Sequence, residues 1–429
     1  MSDLPHVPVA LPGPESRALV DVLARHESPG ITARRARQGE ARGTGSDPIV
    51  WARAEGASVW DVDGNRYVDL TGAFGVALVG HAHPAVVRAV QEQAATLMHG
   101  MGDVFPNAPR IRLMERLAAL APPGLTQCIL GLSGSDAVEA ALKTAALASG
   151  RPGVLAFWGS YHGLSYGALA ATAYKAAFRA PFAGQLGPHV RHLPYGESLD
   201  LIERFVAGPA TGGEAIGALL VEPILGRGGQ VVPPDEWLRG LRTLADRYGL
   251  VLVFDEIYSG LGRTGRWWAC DHAGVVPDVL CVGKALGGGM PVSAAIARPD
   301  VMSAWGRSAG EAIHTGTFLG HPVAAAAALA TLDALVAMDA PVRAREFEAV
   351  VRARLGSRVR GRGAMLGVET GSPGAGARIA GRLLRDGYIV LPGGVDGDII
   401  GLTPPLCLSE EQLAGALDAL EAGLAAESP

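Results

Sequence analysis

The chain is almost without lysine. Lys143, Lys175 and Lys284 are the only three, and every other permanently charged basic side chain is arginine. Arginine keeps its proton near neutral pH, whereas a desolvated lysine, or one beside another cation, can become a nucleophile, so each lysine is a candidate for amine chemistry. Cysteine is also scarce: Cys128, Cys270, Cys281 and Cys407 lie far apart with no CxxC pair. That spacing indicates neither a zinc site nor a disulfide framework and fits a reducing, cytoplasmic setting. Charge of one sign is not concentrated either; a formal net charge of -5 and a pI near 6.1 give no footprint for nucleic acid or an anionic membrane. Long hydrophobic runs are missing too. The best, residues 323–338, is interrupted by Asp333 and reads as a buried or interfacial helix. The amino terminus, MSDLPHVPVALPGP, has no apolar h-region, so no signal peptide is expected. There is no internal repeat and no low-complexity linker.

What is present is a chain of 429 residues with 48% hydrophobic content and a mean hydropathy of +0.22. That is long enough for two or three units, or one large core with an appended lobe, and its apolar lean favours oligomerisation. Residues 1–48 read as an arm with one helix over 16–25 and a solvated arginine cluster at Arg34, Arg35, Arg37 and Arg42. Residues 58–70 alternate around Asp-Gly-Asn and predict a hairpin. Pro84 opens a helix, and a second covers 109–120. From 128 onward short apolar strands alternate with helices, and 216–221, 235–248 and 250–254 form a βαβ unit. The tail alternates helices with strands at 364–369 and 389–391, then ends in a helix over 409–425, which suggests a separate lobe. The fold class is therefore α/β.

Four features at strand exits carry the chemistry. Val279–Val282 is a short buried strand running into Gly283-Lys284-Ala285-Leu286-Gly287-Gly288-Gly289-Met290-Pro291, which sets Lys284 at the sheet edge as a Schiff-base lysine. Two neighbouring apolar runs end in Glu222-Pro223 and Asp255-Glu256, placing carboxylates at the same edge. Ser133-Gly134-Ser135-Asp136 joins a strand to a helix and points backbone N–H groups at one spot, a natural phosphate site. Tyr161 and His162 lie between glycines at another strand exit, where an aromatic ring can stack on a flat ligand. Each has an ordinary reading as well: a surface lysine, solvated acids, helix caps and a packed tyrosine beside a hydrogen-bonded histidine.

Together these four features are what pyridoxal 5′-phosphate (PLP) uses. The sequence resembles the class III (omega) aminotransferases of fold type I, the family of ornithine and 4-aminobutyrate aminotransferases, from about residue 50 to 420. The most specific stretch is Asp255-Glu256-Ile257-Tyr258-Ser259-Gly260-Leu261-Gly262-Arg263-Thr264-Gly265, followed by the lysine segment above. The resemblance implies a mostly parallel central sheet flanked by helices, with a large PLP-binding domain over 60–330. A smaller α+β domain would be built from both chain ends, 1–59 and 331–429. It makes Lys284 the cofactor-binding lysine and proton shuttle, and Asp255 the partner of the pyridinium nitrogen. Gly134 and Ser135 would hold the phosphate, Tyr161 would stack on the ring, and Ile257 would pack behind it. Thr317 would complete the phosphate site of the other subunit, so at least a homodimer is expected. Trp60 and Phe74 fall in segments the resemblance places near the entrance. No metal is implied.

Two departures concern the substrate. Amino-acid-specific members carry an arginine just before an x-x-Pro-Pro stretch that grips the α-carboxylate; here Ile400-Gly401-Leu402-Thr403-Pro404-Pro405 has Gly401 there. Those members also have a glutamate that pairs with it, where this chain has Arg227 in Glu222-Pro223-Ile224-Leu225-Gly226-Arg227-Gly228-Gly229. Arg227 either takes over carboxylate recognition or salt-bridges a local acid. Tyr258 stands where ornithine-type members have glutamine. The expected activity is ping-pong transfer of an amino group from an amine or ω-amino compound to an oxo acid, 2-oxoglutarate or pyruvate. The same scaffold also serves racemases or epimerases, and decarboxylases or lyases.

Overall fold

The computed structural model describes residues 4–31, 48–208 and 215–427, so the arginine cluster at 34–42 lies outside the described residues. The chain forms two compact units, Met1–His83 with Arg345–Pro429, and Pro84–Ala344. The boundaries expected after 59 and 330 fall after 83 and 344. The reason is strand pairing: the 58–69 hairpin joins a strand from near the carboxyl terminus.

The first unit has a helix over Pro14–His26, followed by β1 (Trp51–Glu55), β2 (Ser58–Asp61) and β3 (Arg66–Asp69), paired antiparallel. The turn between β2 and β3 is tied by the buried Asp61 carboxylate. It accepts from the N–H groups of Asp63 at 3.0 Å and Asn65 at 2.8 Å and from the Tyr67 hydroxyl at 2.6 Å, which satisfies the polar atoms of a tight hairpin.

The second unit holds β4 (Gln127–Gly131), β5 (Gly153–Phe157), β6 (Val190–Leu193), β7 (Ile216–Val221), β8 (Val251–Asp255), β9 (Val279–Val282) and β10 (Ser293–Ala297). They make one sheet in the order β4-β10-β9-β8-β7-β5-β6, with β10 antiparallel to both neighbours and the rest mutually parallel. Every residue of β5, β7, β8, β9 and β10 is buried, as expected for strands covered on both faces. One cover is the helix Gly134–Ser149. Its Ala137, Ala140, Ala141 and Ala145 sit in one core cluster with Val154, Ala156, Leu220, Val253 and Cys281; alanine permits the close approach of helix to sheet. The helix Pro322–Ala337 is largely buried, and among the described residues no single helix is long and apolar enough to cross a membrane.

The chain then returns to the first unit with β11 (Val359–Arg362), β12 (Met365–Glu369), β13 (Tyr388–Ile389), β14 (Leu391–Gly393) and β15 (Ile399–Leu402). The single strand expected at 389–391 is two: β13 pairs in parallel with β3, while β14 pairs with β15 in a second sheet.

Candidate active site

Because β4, β5, β7, β8 and β9 are parallel, their carboxyl ends share one edge of the sheet, where Glu222, Asp255, Lys284 and the 133–136 and 159–163 segments leave it. β9 delivers Lys284 at the start of a short 3-10 turn, Lys284–Gly287, with φ of 38°. That left-handed backbone is strained for a lysine, and such strain persists where the surroundings over-determine it, as they do around functional side chains. Its Nζ lies 4.3 Å from the centre of the Tyr258 ring. Tyr258 in turn packs on Gly226, where a β-carbon would fall 2.5 Å from the ring. Burial pushes the Lys284 ammonium below the usual lysine range; Asp255 and Glu222 oppose that shift, and Arg227 and Arg263 add to it.

β8 delivers Asp255. Its Oδ1 accepts the Ile257 N–H at 3.1 Å, and its Oδ2 lies 2.8 Å from His162 Nδ1. A carboxylate only accepts, so Nδ1 carries the hydrogen. His162 comes from the end of β5 and is buried, with no partner for its Nε2 among the described residues. The ordinary reading of a hydrogen-bonded histidine is thus the geometry found, and its partner is the catalytic aspartate candidate.

β7 delivers Glu222, whose Oε1 accepts the Tyr161 N–H at 2.7 Å and whose Oε2 accepts the Gly226 N–H at 2.9 Å. Burial pushes its carboxyl up to about 7; His162 and the two N–H donors work against this and Asp255 adds to it. Glu256 is different. It is buried on the N–H groups of Ala269 at 2.6 Å and Cys270 at 2.8 Å, a brace for that turn.

The helix Gly134–Ser149 begins with a reciprocal capping box between Ser133 and Asp136. Gly134 and Ser135 keep their N–H groups unpaired among the described residues. Gly163, with φ of 124°, brings the 160–164 loop against this helix start: a β-carbon there would lie 2.1 Å from Ser135 Oγ. Ile257 abuts the same point, 3.0 Å from where a β-carbon on Gly134 would sit. The Arg227 guanidinium carbon stands 4.5 Å from the centre of the Tyr161 ring, 5.2 Å from Tyr174 and 5.6 Å from Phe178.

A profile of the Aminotransferase class-III family matches residues 40–424. The chain belongs to the class III aminotransferases. It is 39% identical to the acetylornithine aminotransferase of Methanopyrus kandleri, over 88% of this chain and 95% of that protein. Among solved structures it is similar to an amine transaminase from an uncultivated Pseudomonas species in its PLP-bound form, with 30% identity and a TM-score of 0.82 over 89% of this chain and 96% of that one. An (S)-enantioselective omega-transaminase from Thermomicrobium roseum matches with 26% identity and a TM-score of 0.85, over 96% of this chain and 99% of that one. As a class III member the chain is a PLP-dependent aminotransferase that acts on amines and oxo acids.

The residues present fit that cofactor. Free N–H donors at a helix start suit a phosphate, a braced carboxylate suits a protonated ring nitrogen, and a lysine with lowered basicity suits a carbonyl. Trp60, Phe74 and Gly401 belong to the first unit: the Arg53 guanidinium lies 4.1 Å from the Trp60 ring centre, Phe74 is exposed with φ of 63°, and Gly401 pairs with Gly367 and Leu391. Thr317 is exposed ahead of the helix Pro322–Ala337. Tyr174 and Phe178 were not singled out in the sequence; two aromatics four residues apart beside one of three lysines were the available signal.

Proposed function

We propose that this class III aminotransferase moves an amino group from a primary amine or ω-amino compound to 2-oxoglutarate or pyruvate by a ping-pong mechanism, in the cytoplasm and as a homodimer. The observation that carries the amine-donor reading is Gly401, in place of the arginine that holds the α-carboxylate in amino-acid-specific members. The acetylornithine aminotransferase likeness is compatible with it, since acetylornithine presents a terminal amine remote from its carboxylate.

PLP, when bound, supplies an electrophilic carbonyl and a protonated ring that withdraws electrons from the substrate carbon. Lys284 would hold the carbonyl until the donor amine takes its place there, and its freed Nζ would then move the proton off the amine-bearing carbon. Burial lowers the basicity of that amine, which favours its neutral, nucleophilic form. Asp255 keeps a proton on the ring nitrogen, and His162 fixes the carboxylate that does so. The N–H groups of Gly134 and Ser135 hold the phosphate, with Thr317 of a second subunit completing it. Tyr161 covers the ring and Ile257 packs behind. The Tyr258 ring lies under Lys284 Nζ and limits where that nitrogen can move. Trp60 and Phe74 are assigned to the entrance.

The test is the holoenzyme mixed with an amine donor and no acceptor. One equivalent of carbonyl product per site is expected, then a halt that an oxo acid relieves. Substrate racemised or decarboxylated without carbonyl release would replace this reading with another.

A further inference from the structure

We propose that Arg227, held between the rings of Tyr161, Tyr174 and Phe178, is the residue that grips the carboxylate of the oxo-acid acceptor. This rests on the aminotransferase reading above and names the substrate group that the site recognises.

The sequence leaves Arg227 with two roles, a local salt bridge or substrate recognition. The structure separates them. Among the described residues Arg227 has no ion pair and no hydrogen bond; its contacts are with π faces. Elsewhere in the same unit arginines take carboxylates at once, as Arg242 does with Asp278 at 2.9 Å and Arg247 with Glu203 at 2.6 Å. A guanidinium stacked on aromatic rings is held by its face, and neither its charge nor its in-plane N–H fork is satisfied. A half-buried fork of that kind matches a planar carboxylate, which can take two parallel N–H bonds.

The cage is built to aim this fork. Phe178 meets Tyr161 edge-on at 5.9 Å and lies 6.2 Å from Tyr174, so the rings support one another as well as the cation. Glu222 joins the two arms, accepting from the Tyr161 N–H on one side and from the Gly226 N–H, one residue before Arg227, on the other. Gly226 also carries the Tyr258 ring that lies under Lys284 Nζ, which places the fork one residue away from the lysine's support. The Arg227 charge reaches Lys284 and helps to hold its ammonium below the ordinary range. A bound carboxylate offsets that charge, so arrival of the acceptor raises the basicity of the lysine.

The probe is glutarate, which carries the two carboxylates of 2-oxoglutarate and has no oxo group to react, titrated calorimetrically into wild-type, Arg227→Met and Arg227→Lys holoenzyme. Wild type is expected to bind it, Arg227→Met to bind roughly 10- to 100-fold more weakly, and Arg227→Lys to fall between, because it keeps the charge and loses the fork. In the apo-protein, reaction of Lys284 with an amine-modifying reagent should shift to higher pH in Arg227→Met, a readout that loss of packing alone does not give. Glutarate affinity undiminished in either variant, or no binding by wild type, overturns the inference. The amine-only reaction of wild type reads the aminotransferase assignment separately, so the two can fail independently.

Discussion

At the scale of single residues, the proposed site rests on a lysine whose burial lowers its basicity and on buried carboxylates beside it. Lys284→Arg retains a cation at the strained position and removes the nucleophile. Amino transfer is expected to fall by at least about a thousandfold, read as steady-state turnover. Asp255→Asn keeps the bond from Ile257 N–H and removes the charge facing the ring nitrogen, with a loss on the order of a hundredfold or more. Glu256 gives a prediction about stability. Burial pushes its carboxyl up to about 7 from an ordinary 4.5, so the folded chain keeps a proton there that the unfolded chain has released across that interval. Wild type therefore loses stability from this group as pH rises from 4.5 to 7. Against Glu256→Gln, whose side chain does not titrate, the balance should move toward the variant by up to about 3 kcal/mol between pH 4.5 and 8 in denaturant titrations. No change in that difference with pH would contradict the assignment. Lys284, Asp255, Glu222 and Gly134 were legible in the sequence because each sits at the end of an apolar run, where topology turns position into placement. The aromatic cage was not legible: Tyr174 and Phe178, the latter in the short helix Ala176–Arg179, reach Arg227 from the segment between β5 and β6, a contact that no local periodicity encodes.

At the scale of elements, the parallel strands and the helix Gly134–Ser149 do the positioning. The buried strands announced themselves as apolar runs, and Ser133-Gly134-Ser135-Asp136 read as the join of a strand to a helix, which begins at Gly134. Val190–Leu193 was missed, because a sheet-edge strand of Val-Arg-His-Leu alternates with charge and carries no buried-strand pattern. The close contact of the 160–164 loop with the helix start yields a second test. Gly163→Ala puts a methyl group into Ser135 Oγ at a backbone angle that favours glycine, so the loop must lift away from the phosphate donors. Its PLP dissociation constant is expected to rise about tenfold or more, measured by fluorescence titration of apo-protein. Unchanged affinity would mean that this loop has no part in the phosphate site.

At the scale of the whole molecule, the apolar lean of the composition appears as exposed side chains in two stretches of the sequence. Met98, Met101, Val104 and Phe105 are exposed together in the Pro84–Ala344 unit, as are Ile313 and Phe318; apolar exposure of this extent marks surfaces that another chain covers. Light scattering should give the mass of a dimer or a larger assembly, and Phe105→Asp should shift it toward the monomer. A monomeric wild type that retains activity would remove Thr317 from the proposed site. The two-unit division was legible only in outline, since the parallel pairing of β3 with β13 joins residues more than three hundred positions apart and neither strand's sequence names its partner.

The central claim is that Lys284, among three lysines, carries the cofactor, and borohydride reduction of the PLP-loaded enzyme followed by peptide mass mapping tests it directly. A stable PLP adduct is expected on the peptide that contains Lys284 and on no other. An adduct at Lys143 or Lys175 with Lys284 unmodified would contradict the account.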